Sequence, residues 1–76
     1  MGIEGETFIK IKGKYEYSFS GNENLTWHVD KKYPVELIVD PSDEKKVSLS
    51  WVGPYSGQFD LFYGDYKKTI IVESLF

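Results

Sequence analysis

Few residues in this chain are of types that do chemistry, and they are spread along it. Its one histidine, His28, stands beside Trp27 in the run Leu25-Thr26-Trp27-His28-Val29, and cysteine is absent. An imidazole acts as a general base only with a nucleophile or carboxylate within hydrogen-bond reach, and sequence alone pairs His28 with neither. Alternation along a strand puts His28 on the face opposite Trp27, so a solvated sheet residue is the expected role. Asp30, Asp40, Asp43, Glu44 and Asp65 fall in turn-rich segments, where clustered oxygens could hold calcium. Their spacing lacks the Asp-x-Asp-x-Asp-Gly rhythm of a calcium loop, and Asp40-Pro41-Ser42-Asp43 is accounted for as turn chemistry. Ser48 and Ser50 lie close to Lys45 and Lys46 and imitate a Ser-Lys nucleophile on paper, but alternating serines are ordinary on an exposed strand face. No Gly-x-Ser-x-Gly, phosphate loop or zinc pair occurs. No catalytic, metal or cofactor-binding residue is therefore assigned, and the chain is expected not to be an enzyme.

Aromatic rings are the remaining functional material. Tyr33, Tyr55, Phe62, Tyr66 and Phe76 fall outside the inward pattern of the apolar runs, and exposed flat rings stack on sugars or anchor protein interfaces. The competing expectation is that Tyr33 and Tyr55 cap the ends of the core and that Phe76 plugs its bottom. Tyr55, beside Gly53-Pro54, and the pair Phe62 and Tyr66 beside the final turn are the candidate surface-binding residues.

The elements that must position these groups are strands. Ile9 and Ile11 alternate with Lys10 and Lys12, Tyr15, Tyr17 and Phe19 with Glu16 and Ser18, and Leu25, Trp27 and Val29 with Thr26 and His28. Val35, Leu37 and Val39 form the next run, followed by Val47, Leu49 and Trp51, then Phe59, Leu61 and Tyr63. A closing strand from Lys67 to Val72 turns Ile70 and Val72 inward. Turn residues punctuate the series: Gly13, Ser20 to Asn24, Asp30 to Pro34, Asp40 to Glu44, Gly53 to Gly57 and Gly64-Asp65. Phe62 breaks the alternation on the polar side. No helix is predicted. Seven such runs are buried by packing two sheets face to face, so the expected fold is an all-β sandwich of about seven antiparallel strands. Its expected core includes Trp27, Tyr17, Leu37, Leu49, Phe59, Leu61 and Ile70.

A chain of 76 residues forms one domain, 1–76, with residues 1–6 a candidate connection to something upstream. With two Trp, six Tyr and five Phe but no cysteine, stability has to come from aromatic packing and sheet hydrogen bonds rather than from disulfides. Twelve acids against nine lysines leave a net charge of −3, without the basic excess that tracking phosphates requires, so nucleic acid is not an expected partner. Apolar stretches such as Thr69 to Val72 are far shorter than the ~20 residues of a membrane span, and neither a membrane partner nor a signal peptide is expected.

The opening Ile3-Glu4-Gly5, the strands Tyr15-Glu16-Tyr17-Ser18, Leu25-Thr26-Trp27-His28-Val29 and Ser56-Gly57-Gln58-Phe59-Asp60-Leu61, and the end Lys68 to Phe76 together resemble a bacterial immunoglobulin-like domain. Domains of this kind are appended to bacterial surface proteins and tailed-phage virion proteins. The resemblance implies a module without activity of its own that spaces, displays or adheres. It implies a structural or display domain of a virion, as capsid decoration or the C-terminal domain of a capsid or tail protein. Virion proteins or further copies of itself would be the partners. The alternative is an adhesion module whose Tyr55, Phe62 and Tyr66 stack on a host-surface glycan. The location implied is the virion, or the cell surface as part of a larger protein.

Overall fold

Each run that alternates in the sequence is a strand whose apolar side chains share one face. The computed structural model describes residues 2–73. Its strands are β1 (Gly2–Glu4), β2 (Phe8–Lys10), β3 (Tyr15–Ser20), β4 (Trp27–His28), β5 (Val35–Asp40), β6 (Asp43–Trp51), β7 (Gly57–Tyr63) and β8 (Tyr66–Glu73). They make two four-stranded sheets, ordered β1-β3-β6-β5 and β2-β8-β7-β4, and the described residues contain no helix. The two sheets form the expected small all-β sandwich.

Two features of the N-terminal segment differ from the sequence expectation. Within the stretch 1–6, marked as a connection, Gly2-Ile3-Glu4 is a strand opposite Ser20-Phe19-Ser18 of β3, and Ile3 packs against the core. Three residues are too few to show a period, so only the pairing reveals this strand. The chain then crosses to the other sheet. There β2 pairs with β8 in parallel, Ile9 opposite Val72, whereas the other strand pairs among the described residues are antiparallel as expected. The crossing passes tightly over the core at Gly5, which has φ +151°; a Cβ there would sit 2.3 Å from Cδ1 of Tyr17. Only glycine fits both that space and that backbone.

The core lies between the sheets. Tyr17, Phe19, Val47, Leu49 and Trp51 enter it from the first sheet, and Ile9, Trp27, Phe59, Leu61, Tyr63, Ile70 and Val72 from the second. Leu37, expected in the core, is only half-buried. It sits on β5, which has a neighbouring strand on one side only, so its outer flank stays open while it packs against the buried set.

Large amphipathic rings tie the loops to this core, because a buried Tyr or Trp needs a partner for its polar end. The Trp27 Nε1–H donates to the Glu44 carbonyl at 2.8 Å and links β4 to the start of β6 in the opposite sheet. The Trp51 Nε1–H donates to the Tyr55 carbonyl at 2.8 Å. Tyr63 Oη accepts from Leu25 N–H and donates to the Glu23 carbonyl, both at 3.0 Å, pinning the loop before β4. Tyr17 Oη donates to the Glu6 carbonyl, and burial, reinforced by the nearby Glu6 carboxylate, raises its pKa well above the ordinary tyrosine value.

Candidate functional site

The outward face of the β2-β8-β7-β4 sheet carries two of the singled-out residues. His28 lies opposite Phe62 in the β4–β7 register, and their rings stack with centroids 4.7 Å apart and planes 7° from parallel. His28 is exposed, as alternation places it, and its neighbour is an apolar ring rather than a carboxylate or a nucleophile. Phe62 is half-buried by this stacking, which explains its position on the polar side of its strand. Further along the same face, Thr69 Oγ1 donates to the Asp60 carboxylate at 2.6 Å, and Lys10 lies 3.7 Å from Glu73. Phe8 pairs with Ile71 at the far end, with its ring largely exposed.

The three candidate binding rings do not form one surface. Tyr66 lies opposite the inward-facing Tyr63, and its ring packs on Phe19 at 4.8 Å. Its hydroxyl donates to the Glu23 carboxylate, a bond that raises the tyrosine's pKa. Tyr66 is therefore drawn toward the core side while Phe62 faces outward on the neighbouring strand. Tyr55 stands in the loop before β7, separated from both by most of that strand, roughly 20 Å at ~3.3 Å per residue. Its side chain is 80% exposed, so it does not cap the core as expected; its main-chain carbonyl, bound to Trp51, does the anchoring there. Tyr33 is half-buried against Trp51 and Phe59, in keeping with a capping role. Phe76 lies outside the described residues.

The acidic turn residues serve the backbone. Asp30 accepts from Lys32 N–H, Asp40 from Ser42 N–H and Asp43 from Lys45 N–H, each closing a turn onto its own chain. Glu44 contributes its carbonyl to Trp27, and Asp65 sits in the tight β7–β8 hairpin after Gly64, which has φ +59°. Among the described residues, no group of three or more His, Cys, Asp or Glu side chains is placed to hold a metal ion. Ser48 and Ser50 lie on the outward face of the first sheet, opposite Glu16 and Glu36 respectively, and no hydrogen bond joins either serine to a lysine among the described residues. Ser48, Lys46, Glu16, Lys14, Asp40 and Ile38 line a shallow depression on that face.

Sequence reasoning missed the exposed aliphatics on the free edge of the first sheet. Ile38 is 59% exposed on the outward side of β5, and Val39 is 41% exposed beside an irregularity in the β5–β6 register. A signal for Ile38 existed: like Phe62, it is a large apolar residue at a polar position of its run.

No protein-family model matches the chain, and no curated protein does. Among solved structures, the chain is similar in fold to the crystal structure of the S-layer protein SbsC domains 4 and 5, with a TM-score of 0.57 at 15% sequence identity. The match covers 100% of this chain and 52% of that one, so the chain spans about half the length of that structure.

Proposed function

We propose that this chain is a non-enzymatic structural and display domain of a protein coat on the outside of a bacterial cell or a virion. The likeness in fold to an S-layer protein over the whole chain is the observation that carries this reading. Strand order supports its immunoglobulin-like character. With β2 set aside, β1-β3-β6-β5 and β4-β7-β8 follow the two-sheet arrangement of constant-type immunoglobulin domains, and the buried Trp27 falls on the strand where such domains carry their core tryptophan. The placement of polar groups fits as well: no charged or polar side chain is buried among the described residues, and the acids are engaged in shaping turns. Such a domain acts by holding its shape and presenting its faces and edges to neighbours. Scattered rings on different faces favour this role over glycan stacking, which needs a shared platform.

Immunogold labelling of the source cells, and of the particles they release, with an antibody against the folded domain tests the proposal. Label on an external coat or on particles is the expected result, and which of the two is labelled decides between cell surface and virion. Label confined to the cell interior overturns it. Titration of the ¹⁵N-labelled domain with host cell-wall polysaccharide tests the glycan alternative, for which amide shifts have to localise at Tyr55, Phe62 or Tyr66.

A further inference from the structure

Among the described residues four strands end the two sheets, and three of them are blunted by their length: β1 and β2 have three residues each and β4 has two. β5 is different. It has six residues, Val35-Glu36-Leu37-Ile38-Val39-Asp40, with exposed Ile38 and Val39 and only one charged side chain before its last residue. An edge of this length and character is a template for another strand, which natural sheets ordinarily guard against with charges, bulges or prolines. Here the prolines, Pro34 and Pro41, stand outside the strand and frame an open window.

The register shows which groups the window offers. Val52 N–H donates to the Pro34 carbonyl at 2.8 Å, and Val35 lies opposite Trp51. In an antiparallel ladder alternate residues point both main-chain groups to the same side, so Glu36 and Ile38 bond β6 while Val35, Leu37 and Val39 point theirs outward. The Val35 N–H is already held by the Tyr33 carbonyl at 2.9 Å. The groups presented at the edge are therefore the Leu37 N–H and carbonyl, the Val39 N–H and carbonyl, and the Val35 carbonyl.

We infer that this edge pairs with β5 of a second copy of the chain, antiparallel and centred on Leu37 opposite Leu37. In that register Leu37 N–H meets the Leu37 carbonyl of the other copy and Val39 N–H meets the Val35 carbonyl. By symmetry that makes four main-chain hydrogen bonds, using every group presented except the Val39 carbonyl, whose counterpart, the Val35 N–H, is held by Tyr33. On the inner side Val35 faces Val39, and on the outer side Ile38 faces Glu36. Charge selects this register among those that keep the two faces matched: a shift one way puts Glu36 opposite Asp40, and a shift the other way puts Glu36 opposite Glu36, both like-charge pairs that destabilise a ladder. That self-complementarity favours a second copy over a foreign strand, for which the sequence of β5 would need no two-fold match. A contact between two short strands is smaller than the ~1,200 Å² of a stable interface, so the dimer is weak and forms at roughly millimolar concentration. The inference rests on the edge alone and is independent of where the domain is mounted.

Amide hydrogen exchange of the ¹⁵N-labelled domain across a dilution series from about 2 mM to 0.05 mM reads the pairing directly. Leu37 and Val39 amides are expected to gain protection with concentration, while Glu36 and Ile38, bonded to β6, stay protected throughout. Two substitutions at the exposed Ile38 fix the register. Ile38→Glu places an acid opposite Glu36 twice in the dimer and is expected to raise the dissociation constant about tenfold. Ile38→Lys places a base there and is expected to keep or tighten the dimer. Circular dichroism confirms that both variants are folded. Leu37 and Val39 protection that does not change with concentration overturns the inference, as do equal effects of Ile38→Glu and Ile38→Lys.

Discussion

Replacing Trp27 tests the register of the whole sandwich, because Trp27 and His28 are adjacent and the fold sends them to opposite faces. Trp27 is 6% exposed, its ring lies 4.7 Å from that of Tyr63, and its indole N–H is the bond between β4 and the Glu44 carbonyl across the sandwich. Trp27→Ala removes one of the two largest core side chains and leaves a cavity, at a cost of about 3–5 kcal/mol. At roughly 0.05–0.15 kcal/mol per residue, a domain of 76 residues has only about 4–11 kcal/mol in total. The variant is therefore expected to be largely unfolded or on the edge of unfolding at 25 °C. Trp27→Phe keeps a ring in the core but loses the indole donor, and about 1–2 kcal/mol is expected. For a domain of this size that lowers Tm by roughly 5–15 °C. His28→Ala gives up only the exposed stack on Phe62 and is expected to cost no more than about 1 kcal/mol. Thermal melts followed by near-ultraviolet circular dichroism measure all three variants. A His28→Ala loss larger than that of Trp27→Phe would refute the assignment, since a slip of one residue exchanges the two faces.

The same packing yields further expectations. Tyr63→Phe keeps the ring but strips the partners from Leu25 N–H and the Glu23 carbonyl, so about 1–3 kcal/mol should be lost in chemical denaturation, with faster amide exchange confined to residues 22–26. Gly5→Ala forces a Cβ into the Tyr17 ring at a φ of +151°; a melt within 2–3 °C of the parent, where roughly 10 °C or more is expected, would show that the crossing relaxes freely. Tyr17 keeps its proton in the folded state to a higher pH than in the unfolded chain, chiefly because of burial. Its contribution to stability is therefore complete below about pH 10 and declines as pH rises from there toward the folded-state value. Urea midpoints should fall above pH 10, and Tyr17→Phe should flatten that part of the profile.

Period-two alternation made most of this architecture legible, because a strand with one buried face has to write its inward residues at every second position. Tyr17, Trp27, Leu49, Phe59, Leu61 and Ile70 are buried where that rule puts them. What escaped it depends on partners distant in sequence. β1 is too short to show a period and exists through its pairing with β3, and the parallel β2–β8 pair follows from the change of sheet at Gly5. Leu37 has the same inward parity as Leu49, its partner in the ladder, yet only Leu49 is buried, because β6 has strands on both sides and β5 on one. Position within a sheet is a property of strand order, which alternation along a single run does not encode.

Phe62 and Ile38 break the alternation in the same way, and the difference between them bears on how this domain could meet its surroundings. Phe62 and Ile38 are both large apolar side chains at outward positions. Phe62 finds His28 on the adjacent strand, and the stack leaves it half-buried. Ile38 has Ser48 opposite it in the ladder, and among the described residues no strand pairs with the other side of β5. Covering that apolar surface is favourable, and the main-chain groups beside it contribute only where they are hydrogen-bonded as they are covered, about 0.5–1.5 kcal/mol for each bond. Satisfying the main-chain groups takes a strand rather than a loose hydrophobic contact, and the acids at 36 and 40 limit which strand fits. The apolar surface and the unpaired main-chain groups thus fall on one edge. That coincidence is why the proposed pairing is placed at β5 rather than at the scattered rings of Tyr55, Phe62 and Tyr66.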